Sequence, residues 1–322
     1  MASATLPDLA STRKVSSMRT QMRLPAGAAA DRVLCHFLRD TRPCAAATVL
    51  RVPASFYGTL TLTHAGAIVD GRSGRALPRV ALGGLRGRPG ELQFAPGTVA
   101  TTVVLKPGVA NRLAGPGGLA ADQVLDARAL VPLAPLATSA DVAAHDRAIE
   151  HVEALLARVG AGDGGVAASD GAPHDHNADE HFATTLRALL WRMPTMSMAD
   201  LGAHFGCTAR TLQRLFVREL GVAPKLFCRL ARVHGFFWQV HALSHDVRPH
   251  WADLAGACGF ADQAHLHREL KVLAGLTPLA FLRALRGGPA AHWALRVPAH
   301  ALGWCHRPAA ARSGPAQAGT NM

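Results

Sequence analysis

Side chains with hydrogen-bonding tips recur at helical spacing in one stretch of the sequence. Their spacing is i, i+3, i+4 and i+8, so a helix would carry them on one face or its edge. Arginine can bind O6 and N7 of guanine through two hydrogen bonds, and glutamine can bind N6 and N7 of adenine. Such a face predicts contact with DNA base edges, although an ordinary solvated helix face has the same composition. The residues are Arg210, Gln213, Arg214 and Arg218.

This stretch belongs to an internal repeat. The matching pairs are ADLGAHFGC (199–207) with ADLAGACGF (252–260), and LQRLFVRELGVAP (212–224) with LHRELKVLAGLTP (266–278). Each copy predicts two helices around a tight turn at Gly206 or Gly259, and Gly221 and Gly275 predict the end of each second helix. Solvated faces have no reason to repeat glycine, arginine and Gly-x-x-Pro, so the repeat favours two helix-turn-helix units.

Each predicted second helix also has an inner face and a start signal. Leu212, Leu215 and Phe216 share the inner face in the first copy, as do Leu266 and Leu270 in the second. The second copy offers Gln263, His265, His267 and Arg268 on its polar side. Thr208 and Asp262 stand where N-caps are expected, and Thr208 is also placed to bind a phosphate near a helix N-terminus.

Residues 195–286 resemble the AraC/XylS family of bacterial transcription regulators. The matching motifs are MADLGAHFGCTARTLQRLFVRELGVAPKLFCRLARV and WADLAGACGFADQAHLHRELKVLAGLTPLAFLR. The resemblance implies two helix-turn-helix units joined by a linker helix at about 225–240. Such units enter successive major-groove segments about 34–36 Å apart. The implied base-reading residues are Arg210, Gln213, Arg214, Gln263, Ala264, His267 and Arg268.

Phosphate contacts are expected beside these base contacts. Arginine, lysine and hydroxyl side chains near helix N-termini commonly bind DNA phosphates, and the resulting affinity falls steeply with salt. The candidates are Thr208, Arg218, Lys225 and Arg229.

The charge distribution agrees with a polyanionic partner. The chain has 322 residues and a formal net charge of +12, and residues 181–286 hold 13 Lys or Arg against 6 Asp or Glu. Such a balance indicates nucleic acid or an anionic membrane surface as the partner. Six cysteines without a CxxC pair favour buried thiols in a reducing compartment. We therefore expect a cytoplasmic protein without a signal peptide or membrane span.

Pattern changes along the chain predict an α+β architecture. An N-terminal β-rich sandwich or barrel-like domain precedes an all-α domain of two helix-turn-helix units. Thr59, Thr61 and Thr63 alternate with leucines, which predicts a half-buried strand, and Asp141 is the expected N-cap of a helix from 142. The predicted segments are a disordered 1–30, a sensor or dimerisation domain 31–160, an acidic linker 161–180, the DNA-binding domain 181–286 and a disordered tail 287–322.

The resemblance extends more faintly into the β-rich region. TTVVLKPGVANRLAG at 101–115 is similar to the domain that precedes the DNA-binding module in one branch of the family, which implies a sensing or pairing role. The expected partners are double-stranded DNA, an unidentified small-molecule effector, RNA polymerase and a second copy in a homodimer. We expect an activator that is not an enzyme, with no cofactor, metal or membrane partner.

Other patterns leave alternatives open. HDHNADEH at 174–181 has donors suited to Zn²⁺ or Ni²⁺, and Cys35 and Cys44 are candidate redox sensors, with core packing the commoner role. His234, His241, His245 and His250 are expected on the solvated surface. The alternative functions are a small-molecule-binding or enzymatic β-domain with a regulatory helical domain, and an adaptor that has lost DNA contact. A deep pocket with convergent polar groups would favour the former.

Overall fold

The structure is a computed structural model of the full chain. It describes residues 18–25, 27–115, 118–130, 142–160, 182, 185–186, 195–243 and 249–286. The predicted linker 161–180, the tail 287–322 and the proposed cap Asp141 lie outside the described residues.

Two antiparallel sheets build the N-terminal domain, as the short strands bounded by Gly and Pro predict. One sheet has the order β1-β2-β8-β4-β6-β9 and the other β3-β7-β5. The strands are β1 Arg19–Arg23, β2 Val33–Asp40, β3 Thr48–Val52, β4 Gly58–Ala65, β5 Ile68–Asp70, β6 Val80–Gly83, β7 Gly90–Phe94, β8 Val99–Leu105 and β9 Val124–Asp126. A 3-10 helix spans Gly27–Asp31, and α1 spans Val109–Ala114.

Strand β1 differs from the predicted disorder of residues 1–30. It pairs antiparallel with β2 in a register that joins Arg19 to Asp40 and Arg23 to His36. Its side chains are mostly exposed, so no apolar alternation marks it in the sequence. Backbone hydrogen bonds to a neighbouring strand hold this segment, and they leave no pattern in its residue types.

Strand β4 also differs from its prediction. It lies between β8 and β6 in the larger sheet, and both of its faces are buried. Leu60 and Leu62 pack in one core, while Thr61 and Thr63 are buried on the side toward the second sheet. The prediction of a half-buried strand was wrong because the threonine face meets a protein layer and not water.

Helix α2, Val142–Gly160, covers the outer side of the larger sheet. Val152 and Leu156 share a core cluster with Leu60 and Leu62 of β4, so the helix packs its apolar side against this sheet. At the polar edge of this contact, His145 Nδ1 lies 2.7 Å from the Thr101 hydroxyl of β8.

Six helices form the C-terminal part of the described chain, in the order that the repeat predicts. They are α3 Met198–His204, α4 Ala209–Leu220, α5 Pro224–Ala242, α6 Trp251–Ala257, α7 Gln263–Ala274 and α8 Pro278–Arg286. Helix α5 is the linker helix, and it extends slightly beyond the predicted 225–240. Pro224 starts it, where a missing N–H costs nothing.

The two domains share one core cluster. The Phe56 ring lies 5.4 Å from that of Phe227 and 4.4 Å from that of His234, centroid to centroid. The Ala54 N–H donates to the carbonyl oxygen of Leu273 at 2.7 Å, which joins the loop after β3 to α7. The predicted solvated position of His234 was therefore wrong: it is buried between the domains, whereas His250 is exposed.

Candidate nucleic-acid interface

The turn of the first helix-turn-helix unit is set by local sequence signals. Ser197 caps α3 in a capping box with Asp200, and Gly206 follows the helix with φ of 59°. The Thr208 hydroxyl accepts a hydrogen bond from the Thr211 N–H at 3.2 Å, so the predicted N-cap of α4 is confirmed. These contacts fix where α4 begins and thus which of its side chains face outward.

The second unit repeats this geometry with different residues. Gly259 follows α6 with φ of 76°, and Asp262 accepts a hydrogen bond from the His265 N–H at 2.6 Å as the N-cap of α7. Gly221 and Gly275 end α4 and α7 in the left-handed conformation, with φ of 72° and 73°. The glycine and cap positions of the repeat thus have the predicted roles in both copies.

The apolar sides of α4 and α7 face inward. Leu212 and Phe216 are buried, Leu215 is partly buried, and the Phe216 ring lies 5.6 Å from that of Phe227 on α5. In the second unit, Leu266 and Leu270 are fully buried. Because these faces are fixed against the linker helix, the opposite faces of α4 and α7 are directed away from the core.

The predicted base-reading residues lie mostly on those opposite faces. Arg210, Gln213 and Arg214 are exposed on α4, and Gln263, Ala264 and Arg268 are exposed on α7. His267 differs, because it is half-buried and its Nε2 is enclosed without a hydrogen-bond partner. Among the described residues, no carboxylate lies within ion-pair distance of Arg210, Arg214 or Arg268. Their guanidinium groups are therefore available to an external acceptor.

The four phosphate candidates differ from one another in their exposure and in their ion-pair partners. Lys225 is exposed in the first turn of α5, and Thr208 is exposed while its hydroxyl caps α4. Arg218 Nε lies 2.5 Å from Glu219 Oε1. Arg229 donates to both carboxylate oxygens of Glu269, at 2.8 and 3.1 Å, and so connects α5 to α7. A phosphate would have to compete with Glu269 for this arginine.

A cavity lies between the two sheets of the N-terminal domain, and its volume is about 100 Å³. Its walls combine apolar side chains from β3, β5 and β7 with polar groups from β2, β4 and β8. Sequence reasoning missed its main charged group, Arg39, because a lone arginine in the strand sequence VLCHFLRD carries no motif. Asp40 follows it directly, but in a strand adjacent side chains point to opposite faces, and no repeat marks this arginine.

The remaining candidates are a metal site, the cysteines and a membrane span. Among the residues the structure describes, no group of three or more His, Cys, Asp or Glu is placed to hold a metal ion, and 174–181 lies outside them. Cys35, Cys44, Cys228 and Cys258 are buried, as expected for small apolar side chains. None of the described helices combines the length and apolar character that a membrane span requires.

Residues 201–284 match a family model described as a helix-turn-helix domain. The match contains the two turns, helices α4 and α7 and the linker helix α5 described above. A search of curated protein sequences found no significant match to the chain.

Solved structures with a similar arrangement are distant in sequence. ToxT from Vibrio cholerae O395 is 10% identical, with 83% of this chain and 97% of that chain covered and a TM-score of 0.41. Unsaturated fatty acid bound ToxT from Vibrio cholerae strain SCE256 is 11% identical, with 73% and 94% covered and a TM-score of 0.36. The AraC-like transcriptional activator CuxR is 15% identical, with 67% and 85% covered and a TM-score of 0.24.

Proposed function

Residues 201–284 form a helix-turn-helix domain of the AraC type, the kind of domain that supports a DNA-binding transcription regulator, and we propose that this chain reads two successive major-groove segments through α4 and α7. In this proposal, the α5 helix sets the separation of the two recognition helices. One helical turn of DNA, about 34–36 Å, is the distance that such a pair has to span.

One observation carries the proposal. Two helices at equivalent positions of a tandem repeat bury their leucines and leave one arginine, Arg214 or Arg268, exposed and without an ion pair among the described residues at the same place. A helix face that serves only solubility does not require uncompensated arginines at matching positions in two copies. A face that binds base edges does, because each guanidinium must reach an acceptor on the DNA.

The chemistry of each face suggests what it reads. We assign guanine O6 and N7 to Arg210, Arg214 and Arg268, and adenine N6 and N7 to Gln213 and Gln263. Ala264 would contact a thymine methyl group. His267 is the exception: its enclosed Nε2 leaves Nδ1 and the ring edge as the parts that could approach a base.

Backbone binding would come from groups beside these faces. Lys225 is exposed near the C-terminal end of α4, and Arg218 lies on α4 itself. Thr208 and the exposed N–H groups in the first turn of α4 provide further donors for a phosphate. Arg229 would contribute a phosphate contact only if its ion pair with Glu269 opened.

Selection of bound fragments from genomic DNA tests the proposal with the full chain. We expect a bipartite site whose halves are about 10–10.5 base pairs apart, centre to centre. The Arg214→Ala variant should lose information in one half and the Arg268→Ala variant in the other. Fragments that bind without a shared sequence, or a consensus unchanged by both variants, would contradict the assignment of base readers.

A second role is proposed for the β-domain, as a ligand-binding sensor. The cavity between its sheets favours this role, since polar and charged groups converge on an apolar space there. An effector, a homodimer partner and RNA polymerase remain proposed partners, with activation as the proposed outcome and the cytoplasm as the expected location. The cavity also suits the alternative of a small-molecule-binding domain that regulates the helices.

A further inference from the structure

Arg39, a charged group inside the β-domain cavity, has no carboxylate partner among the described residues. Arg39 lies on β2 and is 4% exposed. Its Nη1 donates to the Thr102 hydroxyl at 3.1 Å, and its Cζ lies 4.7 Å from the centroid of the Phe37 ring. Its Nε is buried without any hydrogen-bond partner, and no carboxylate among the described residues is paired with it.

An uncompensated buried guanidinium is unfavourable. Burial lowers the pKa of Arg39 to about 10, which still leaves the group charged at neutral pH. Charged groups inside proteins are ordinarily paired, because an unpaired ion loses its hydration without gaining a partner. Arg39 therefore has the property of a group whose partner comes from outside the chain.

The second arginine of the cavity is different. Arg86 is half-buried, and burial lowers its pKa, while the carboxylates of Asp122 and Asp70 act in the opposite direction by favouring its charged form. Asp122 also lines the cavity and accepts a hydrogen bond from the Gly87 N–H at 3.0 Å. The charged groups in the cavity wall are thus Arg39, Arg86 and Asp122. Within the part of the chain that the structure describes, carboxylates act on Arg86 but not on Arg39.

The rest of the wall sets the shape and polarity of the partner. Thr61 and Thr102 place their hydroxyl oxygens 3.3 Å apart beside Arg39. The facing sheet contributes apolar side chains, namely Leu50, Ile68, Leu92 and Phe94. A cavity of about 150 Å³ holds benzene, so the present volume of about 100 Å³ suits a hydrocarbon part smaller than benzene.

We propose that this cavity binds a small organic carboxylate whose oxygens pair with Arg39 and whose hydrocarbon part lies against the β3-β7-β5 sheet. The planar fork of arginine matches the two oxygens of a carboxylate, and the threonine hydroxyls supply additional donors. Inorganic phosphate fits less well, because it would leave the apolar wall without a partner. The proposal concerns the β-domain alone and does not depend on DNA binding.

Thermal unfolding of the full chain tests it with paired probes. Sodium propanoate, butanoate and pentanoate are compared with propanamide, butanamide and pentanamide at constant ionic strength. We expect at least one acid to raise the unfolding temperature by about 2 °C or more at saturation, while its amide has no such effect. Equal shifts for an acid and its amide, or no shift for any acid, would overturn the proposal.

Two variants locate the effect. Arg39→Met should abolish the response to the acid, and Arg39→Lys, which keeps the charge without the fork, should weaken it. Arg51→Met removes an exposed arginine from β3 and should leave the response unchanged. Without ligand, Arg39→Met should also unfold at a higher temperature than the parent, since it removes an unpaired charge. A retained response to the acid in Arg39→Met would show that Arg39 is not the anion site.

Discussion

Nε2 of His234 lies 3.2 Å from the carbonyl oxygen of Ala54, so the linker helix of the DNA-binding module is hydrogen-bonded to the β-domain. A carbonyl only accepts, so Nε2 must carry the proton. The other ring nitrogen, Nδ1, is buried without a partner. This arrangement requires a neutral imidazole, and burial accordingly lowers the pKa of His234 to about 4.

The stability of the protein should consequently depend on pH. An unfolded histidine titrates near 6.5, so between pH 6.5 and 4 the unfolded state binds more protons than the folded state. We expect His234 to stabilise the fold fully above pH 6.5 and to lose this contribution as the pH falls toward 4. Urea midpoints at pH 7 and pH 5 measure the effect. His145, whose pKa is also lowered to about 4, should contribute in the same direction.

The His234→Gln variant separates His234 from the other groups. Glutamine donates a hydrogen bond but does not titrate, so the drop in urea midpoint from pH 7 to pH 5 should be smaller than in the parent. His250→Gln is the control, because His250 is exposed. An equal drop in the His234→Gln variant and the parent would contradict a titrating role for His234.

The end of α4 offers a test of how tightly the two domains fit. A Cβ at Gly221 would lie 1.9 Å from the carbonyl oxygen of Leu119 in the β-domain, whereas at the equivalent Gly275 the nearest atom is 4.0 Å away. Both glycines have positive φ, so both alanine variants bear a strain of about 1–2 kcal/mol. Gly221→Ala should cost about 3 kcal/mol or more in unfolding free energy, because backbone must also move.

Denaturant unfolding of the two alanine variants measures this difference. The Gly275→Ala variant carries the backbone strain without the clash, so it is the matched control. Equal losses of unfolding free energy in the two variants would mean that the Leu119 carbonyl does not make a tight steric contact with the end of α4.

Salt dependence of DNA binding distinguishes phosphate contacts from base contacts. The Lys225→Ala variant should reduce the slope of log K against log salt concentration by about 1, with little change in sequence preference. The Arg75→Ala variant on the β-domain removes one exposed arginine and is the control for net charge. Fluorescence anisotropy between about 50 and 200 mM salt gives both slopes, and an unchanged slope for Lys225→Ala would remove this residue from the interface.

Base readers should show a different signature. Arg214→Ala or Arg268→Ala should cost about 1–3 kcal/mol in binding of the selected site and relax specificity at one base pair. Binding to random DNA should change much less, because phosphate contacts dominate there. If the loss were the same on the selected site and on random DNA, the arginine would be a phosphate contact.

The helix-turn-helix units could be predicted because their signals are local. Gly206 and Gly259, with the caps Thr208 and Asp262, act within a few residues of their own position, so the sequence shows them directly. The repeat then supplied a second copy of each signal. Leucine spacing defined which face of α4 and α7 is buried, and the exposed face followed from it.

The features that could not be predicted depend on distant parts of the chain. Thr61 has the residue type of a solvated strand face, but a second sheet covers it. His234 stood in a histidine-rich region that resembles surface, and only the approach of Ala54 buries it. Nothing in the sequence distinguishes Arg39 from the other arginines, because only the packing of the two sheets buries it.

The shared core of the two domains has a consequence for the chain when it is cut. Phe56 of the β-domain packs on Phe227 and His234 of the linker helix, and Ala54 is hydrogen-bonded to Leu273. A protease that cleaves the acidic stretch between 161 and 180 would therefore yield a nicked protein whose two pieces co-elute. The helical piece produced alone would expose the aromatic side chains that the β-domain covers in the full chain. Its solubility would therefore depend on the β-domain.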